Sequence, residues 1–194
     1  YLGLESELRY LKNGGGVSAC AVCDGFFYKN QDVVIVGGGD SACEEAHYLS
    51  KLCNKVTMLV RKDKFRASKI MQERVMKTDN IEVLFNTTTL EVKGDGQLVN
   101  AISVKNTLSG NAYDIPATGF FVAIGHKPNT DIFKPFIEMN ESGYIVNKAG
   151  TTKTNIEGVF VSGDAADFTY RQAVTAAGTG CMAALDAERY LASK

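Results

Sequence analysis

The sequence predicts an α/β protein: a layered parallel-sheet domain with an antiparallel meander inserted in it, followed by the start of a second unit. Three observations carry that prediction. The β-branched runs Val33–Val36, Val56–Val60 and Ile81–Phe85 alternate with segments of helical period. Short alternating stretches broken by glycine fill the region between residues 87 and 115. A last apolar run, Gly119–Ile124, ends in Gly125-His126-Lys127-Pro128-Asn129, which carries the residues that stop elements and join domains.

Taken in order, Tyr1 to Val17 is polar and ends in Gly14-Gly15-Gly16, which reads as a connector. The strand Val33–Val36 follows, then a helix opening at Asp40 or Ser41, where Ser41 and Glu44 have capping-box spacing. Ala42, Ala46, Leu49 and Cys53 fall on one helical face. Val56–Val60 completes a β-α-β unit. Ala67–Lys77 reads as a helix whose apolar side is Ile70, Met71 and Val75, and Ile81–Phe85 as a third parallel strand. Thr87–Lys93, Leu98–Lys105 and Ala112–Ile115 form the meander. Past residue 129, Tyr144–Val146 and Val159–Val161 read as strands, Gly163-Asp164 as a turn and Arg171–Leu191 as a long helix rich in Ala and Gly. The expected division is therefore 1–129 and 130–194.

With 194 residues, 45% of them hydrophobic, the chain can bury a core. A formal charge of −1 gives no general attraction to nucleic acid or to a membrane surface. No apolar run approaches the roughly 20 residues of a membrane helix. Five cysteines without a small-domain framework speak against a secreted disulfide scaffold, and the expected location is cytoplasmic. The chain opens on Tyr1 rather than Met, which suggests a piece of something longer.

Gly37-x-Gly39-x-x-Ala42 follows a predicted strand and begins a predicted helix, the context a dinucleotide fingerprint requires. Gly37 permits the turn, Gly39 lets a pyrophosphate approach, and Ala42 keeps the helix near the strand. The phosphates would rest on the helix-start amides at Asp40 and Ser41. The domain is Rossmann-like on this reading; a glycine turn without a ligand is the plain alternative. Where an NAD site places an acid at the end of the second strand, this chain has Arg61, Lys62 and Arg66, cations that suit a 2′-phosphate. NADPH is the expected nucleotide, although Asp63 lies among those cations and a solvated basic turn would look the same.

Upstream stands Cys20-Ala21-Val22-Cys23-Asp24, the one C-x-x-C pair. A dithiol reacts through a thiolate. Asp24 would raise a neighbouring thiol pKa by its charge, so its plausible use is proton transfer to a departing thiolate. The alternative is half of a zinc site completed from Cys43, Cys53, Cys181, His47 or His126, none of which forms a second C-x-x-C. Electrons normally pass from a nicotinamide to a disulfide through a flavin, so a flavin site is expected as well.

The segments C-A-V-C-D-G-F-F-Y, G-G-G-D-S-A, R-K-D-K-F-R-A-S, F-V-A-I-G-H-K-P-N and G-D-A-A-D-F-T-Y-R-Q-A-V-T-A-A-G-T-G-C-M-A-A-L-D-A-E-R-Y-L together resemble the low-molecular-weight thioredoxin reductases over nearly the whole chain. The resemblance implies that NADPH reduces FAD, FAD reduces the disulfide, and the dithiol reduces thioredoxin. By position it makes Cys23 the sulfur facing the flavin, Cys20 the one attacking thioredoxin, and Asp24 the acid. It places Gly163 and Asp164 at the FAD ribityl and phosphate, Arg171, Gln172 and Ala173 along the isoalloxazine, and Gly125 and His126 on the nicotinamide side. It also implies a homodimer and a domain rotation, with hinges expected at Gly14–Gly16 and Gly125–Asn129. The family's second glycine fingerprint, for FAD, is not in this sequence. The expectation is an NADPH domain plus the C-terminal part of an FAD-binding domain, inactive by itself. A reductase serving a peroxiredoxin system, or an NADP-binding module without catalysis, are the competing readings.

Overall fold

In the computed structural model, which describes residues 1–194, the chain opens with a helix rather than a connector. Helix α1 (Glu5–Lys12) turns the fully buried Glu7 inward, where its carboxylate accepts the amides of Leu2 at 3.0 Å, Gly3 at 2.9 Å and Leu4 at 3.3 Å. Tyr10 is also buried, and its hydroxyl accepts the Gly96 amide at 3.2 Å. The segment's polarity pointed to solvent, but its acid is spent on backbone amides inside the fold. The triple glycine is not a loose joint. A Cβ on Gly15 would lie 2.1 Å from the Gln97 carbonyl oxygen, and Gly16 takes φ +121 against Thr118 and Val99. These glycines pass the chain tightly into strand β1 (Val17–Ser18).

A short helix α2 (Ala21–Asp24) and a 3₁₀ turn (Gly25–Tyr28) lead to β2 (Asp32–Val36). Then come α3 (Asp40–Ser50), β3 (Lys55–Val60), α4 (Lys69–Met76) and β4 (Ile81–Phe85). The meander is β5 (Thr87–Gly94), β6 (Val99–Asn106) and β7 (Ala112–Pro116), antiparallel throughout, and β8 (Gly119–Val122) returns to the main sheet. That sheet is parallel in the order β1-β8-β2-β3-β4.

Both faces of the sheet are covered, which is why its strands are almost wholly apolar. Val33, Ile35, Val56, Met58 and Phe121 face α3 and α4, together with Ala42, Ala46, Leu49 and Val75. Val34, Val36, Leu59, Phe120 and Val122 face the other way, onto Tyr10 and the meander's Val92, Ile102 and Val104. The strand period of two thus sorts one run of valines into two cores.

Two local expectations for this unit are corrected. The Ser41–Glu44 capping box does not form: Gly39 is the N-cap, with extended backbone and no side-chain cap, so the helix begins one residue before Ser41. Helix α4 buries Met71 and Val75 but leaves Ile70 73% exposed, because the helix is shorter than its apolar pattern and Ile70 lies in its first, outward turn.

The chain divides into two compact units, Tyr1–Gly125 and His126–Lys194. In the second, the stretches 144–146 and 159–161 are not strands. Each makes one isolated bridge, Met139 with Ile145 and Lys153 with Phe160, and their other amides bond to loops: Ile145 to Ala165 and Val161 to Thr152. Extended apolar runs become ladders only beside a partner of matching length. A 3₁₀ turn (Gly163–Ala165) follows, and helix α5 runs from Ala173 to Ala192. No helix is long and apolar enough to cross a membrane.

Replacing Glu7 by Ala strands three amides and is expected to cost on the order of 3 kcal/mol, lowering the melting temperature of the first unit by roughly 5–10 °C. Calorimetry checks this; an unchanged transition would mean that the carboxylate is not structural.

Candidate functional site

All five strands of the main sheet point the same way, so their carboxyl ends lie along one edge, where open α/β sheets place ligands. Two groups of predicted residues emerge there. The first follows Ser18, the last residue of β1. Cys20 and Cys23 form a disulfide, with Cα atoms 5.3 Å apart. Cys20 is the N-cap of α2, and its Sγ accepts the Cys23 amide at 3.2 Å. The Ser18 hydroxyl accepts the Cys20 amide at 3.0 Å and donates to Asp24 Oδ2 at 2.6 Å, so strand, cysteine and acid share one oxygen. α2 is fastened to α3: the Ala21 amide donates to Glu45 Oε2 at 3.3 Å, and the buried Gly25 lets the turn close on Tyr48, Leu49 and Leu52. In the turn that follows α2, Phe26 and Phe27 are exposed, at 67% and 74%.

The second group is the glycine turn after β2, between β2 and β8. A Cβ on Gly37 would come within 2.4 Å of the Ala123 carbonyl oxygen and 2.6 Å of Ala42 Cβ, whereas a Cβ on Gly39 would meet nothing. The first glycine is thus required by packing, and the second leaves open space before α3. The amides of Asp40, Ser41 and Ala42 have no acceptor four residues back within the helix.

The basic loop after β3 is docked onto that turn. The Gly38 carbonyl accepts the amides of Arg66 at 2.7 Å and Ala67 at 3.1 Å. Phe65 and Ala67 are buried, and the Phe65 ring meets the Phe85 ring edge-on at 5.1 Å. Arg61, Lys62, Lys64 and Arg66 stay outside, and none of them is in an ion pair, Asp63 included as a partner. With Gly37 and Gly38 they line a cavity of about 560 Å³ whose apolar wall includes Leu2, Leu4 and Ile124. Lys64, Leu2 and Leu4 were not singled out from the sequence. Lys64 continues the charge run, but the leucines reach the site only because Glu7 folds their segment back. Gly39, Asp40 and Ser41 are not in the cavity wall, nor are Cys20 and Cys23. Asp40 is instead turned to Ser68, whose amide and hydroxyl bond its Oδ1 at 3.0 and 2.8 Å and hold its carboxyl below the usual range. The open glycine, the helix-start amides and the unpaired cations fit a dinucleotide carrying an extra phosphate.

In the second unit Gly163, at φ +63, donates its amide to Thr179 Oγ1 at 3.0 Å and lines a cavity of about 490 Å³. Asp164, Arg171, Gln172 and Ala173 are outside its wall. His126, Asp164 and Arg171 do lie within electrostatic reach of one another: burial and then the Arg171 guanidinium push the imidazole below its ordinary value, with Asp164 opposing. Gln172 is the N-cap of α5 and Ala173 its first residue. Arg171 adopts φ +51, a conformation uncommon for a side-chain-bearing residue, and its amide is held by Asp167 Oδ2 at 2.9 Å. Asp167 also takes the amides of Thr169 and Tyr170 and the Thr175 hydroxyl, so burial raises its pKa but these donors outweigh it and the carboxyl stays low. Asp167 escaped the sequence reading, although an Asp two residues before a Thr is the spacing of an Asx turn. The start of the 20-residue helix α5 is closed by a capping box between Gln172 and Thr175, whereas Gly178 and Gly180 have open space where a Cβ would be, which leaves room beside the helix for part of a flavin nucleotide. Gly125, at φ +106, has open space where a Cβ would be.

Cys43 and Cys53 are core residues, and burial pushes both thiols up to about 11. Cys181 is exposed.

A family model described as pyridine nucleotide-disulphide oxidoreductase matches residues 3–180. The chain is 53% identical over 192 residues to a mitochondrial thioredoxin reductase of Kluyveromyces lactis, covering 98% of this chain and 54% of that protein. It is 53% identical over 180 residues to thioredoxin reductase 1 of Saccharomyces cerevisiae, covering 92% of this chain and 56% of the relative. A solved thioredoxin reductase from Streptococcus pyogenes superposes with a TM-score of 0.93 at 36% identity, covering all of this chain and 62% of the other. One from Giardia duodenalis gives 0.87 at 46% identity, covering 99% and 62%. The chain thus spans little more than half the length of the curated relatives it matches.

Thiol counting tests the cysteine assignments. At pH 8 the oxidised native protein is expected to expose one fast-reacting thiol, Cys181, and three after mild reduction opens Cys20–Cys23. Cys43 and Cys53, whose thiolates form only near pH 11, should react on unfolding. Fast reaction of either in the native state would contradict the packing.

Proposed function

This chain belongs to the pyridine nucleotide-disulphide oxidoreductase family, and we propose that it carries the NADPH site and the redox disulfide of an NADPH- and FAD-dependent thioredoxin reductase. The observation that carries the reading is that one helix, α3, supports both groups: its start faces the nucleotide turn, and its side holds the Cys20–Cys23 helix. Residues 1–129 form the NADPH domain on this reading, and 130–194 belong to an FAD-binding domain. No residue of α5 is buried, although Val174, Met182, Leu185 and Leu191 are apolar. That supports a partner layer made of polypeptide that the relatives have and this chain does not span.

On this reading Arg61, Lys62, Lys64 and Arg66, which line the cavity, take the 2′-phosphate, and the helix-start amides at Asp40 and Ser41, outside the cavity wall, take the pyrophosphate. Cys20 and Cys23 are not in the wall of that cavity, and FAD, when bound, would supply two-electron transfer between nicotinamide and disulfide. Gly163, Asp164, Arg171, Gln172, Ala173, Gly125 and His126 are the residues of this chain assigned to the flavin and nicotinamide.

Reduction breaks the S–S bond with two electrons, leaving one sulfur as thiolate and one as thiol. The Cys23 amide on Cys20 Sγ favours the charge on Cys20. Cys20 then attacks a thioredoxin disulfide, forming a mixed disulfide, while Asp24, held by Ser18, protonates the departing thiolate. Cys23 returns its proton to the Asp24 carboxylate and attacks Cys20; the second thioredoxin sulfur leaves as a thiolate and takes a proton from solvent, and the Cys20–Cys23 bond is restored. The exposed Phe26 and Phe27 suit a protein substrate better than a small molecule. A working dithiol needs a reducing compartment such as the cytoplasm.

In the flavin-loaded enzyme containing this chain, Cys20→Ser and Cys23→Ser should each lower NADPH-driven thioredoxin reduction by about 10³-fold or more. Cys23→Ser should also trap a mixed disulfide with a single-cysteine thioredoxin whose sulfur is first activated as a thionitrobenzoate disulfide, the thionitrobenzoate leaving as Cys20 attacks, and Cys20→Ser should not. The 194-residue chain alone is expected to bind NADPH without turnover. Turnover that survives either substitution would refute the assignment.

A further inference from the structure

An acid in the first turn of a helix that must receive a diphosphate is a puzzle, since like charges repel at short range. Asp40 stands there, and its carboxylate is engaged: one oxygen, Oδ1, accepts both the Ser68 amide at 3.0 Å and the Ser68 hydroxyl at 2.8 Å. Ser68 is the N-cap residue of α4, yet its hydroxyl makes no cap bond to that helix and is committed to Asp40. Two residues earlier the same loop is tied to the glycine turn by the Arg66 and Ala67 amides on the Gly38 carbonyl. The cation-bearing loop is therefore fixed by two adjacent clasps, one backbone and one side chain, to the turn that presents the pyrophosphate site.

We infer that Asp40 and Ser68 form a latch that sets the register between the glycine turn and the basic loop, and so determines preference for a 2′-phosphorylated nucleotide. This deepens the NADPH reading and rests on it. Arg61, Lys62, Lys64 and Arg66 have no acidic partner to place them. Long cationic side chains hold one geometry only when their backbone is held, because ordering them is entropically costly. The pyrophosphate amides belong to α3 itself and do not depend on the loop. Loss of the latch should accordingly weaken NADPH binding relative to NADH, while removing the Asp40 charge beside the diphosphate acts on both nucleotides alike and cancels in their ratio. Asp40 acts here as a positioning residue, through Ser68 and the loop. Its carboxyl lies below the ordinary value, so the latch is intact above about pH 4 and is lost as pH falls through the folded-state value.

The test is the ratio of Kd for NADH to Kd for NADPH, measured by calorimetry on the protein at pH 7, with hydrogen exchange at Arg66 and Ala67 as a second readout. Asp40→Ala removes both bonds and should lower the ratio about tenfold, the size of change that losing a charge-assisted contact produces. Ser68→Ala keeps the amide bond and should lower it by a few-fold. Asp40→Asn retains an oxygen acceptor and should stay near wild type, and the double alanine variant should be no worse than Asp40→Ala, since the two act as one unit. Exchange at Arg66 and Ala67 should quicken in step with the ratio. Equal weakening of both nucleotides, or an unchanged ratio in Asp40→Ala, would overturn the latch while leaving NADPH selectivity of the wild type standing. A wild-type protein that binds both nucleotides equally would overturn the NADPH reading and the latch together.

Discussion

A side chain at position 37 has nowhere to go. The Ala123 carbonyl oxygen and the Ala42 methyl close the space on two sides, so the chain leaves β2 with α3 pressed against the sheet. Much of the site depends on that close approach. It aims the helix-start amides out of the carboxyl edge of the sheet and brings the Gly38 carbonyl to the basic loop. Farther along, α3 meets α2 through Glu45 and the pocket that accepts Gly25, so the disulfide is positioned by the same helix. A larger residue at 37 would shift the nucleotide turn and the dithiol together, because both are referenced to one rigid body.

The parts of the fold that were legible in the sequence are those where period and burial agree. The valine and isoleucine runs of β2 and β3, the face Ala42, Ala46 and Leu49, and the glycine-broken meander each had one stable way to bury their apolar groups. The parts that were not legible depend on partners far away in sequence. Glu7 looks like a surface acid until it closes on Leu2, Gly3 and Leu4. The glycines at 15 and 16 look flexible until the meander packs on them. The apolar runs at 144–146 and 159–161 look like strands, but no neighbouring ladder exists for them to join.

The site shows the same division. The Cys20–Cys23 pair, Gly37 and the cations Arg61, Lys62 and Arg66 stood out because redox chemistry and phosphate binding demand particular residue types at fixed spacing, and the structure forms the disulfide and sets Gly37 and the cations around one cavity. Asp40 was readable as part of the helix start, but its bond to Ser68 spans 28 residues and leaves no local pattern. Leu2, Leu4 and Asp167 are likewise supports whose identity follows from folded geometry. Chemistry is written locally in this chain, and its alignment is written at long range.

The account's central claim is that electrons from NADPH arrive at the Cys20–Cys23 bond. The most direct measurement is anaerobic alkylation followed by peptide mass analysis of the flavin-loaded protein, before and after one equivalent of NADPH. The account predicts two new alkyl groups, one on Cys20 and one on Cys23, appearing as the nucleotide is oxidised. Oxidation of the nucleotide with that disulfide still intact would contradict it.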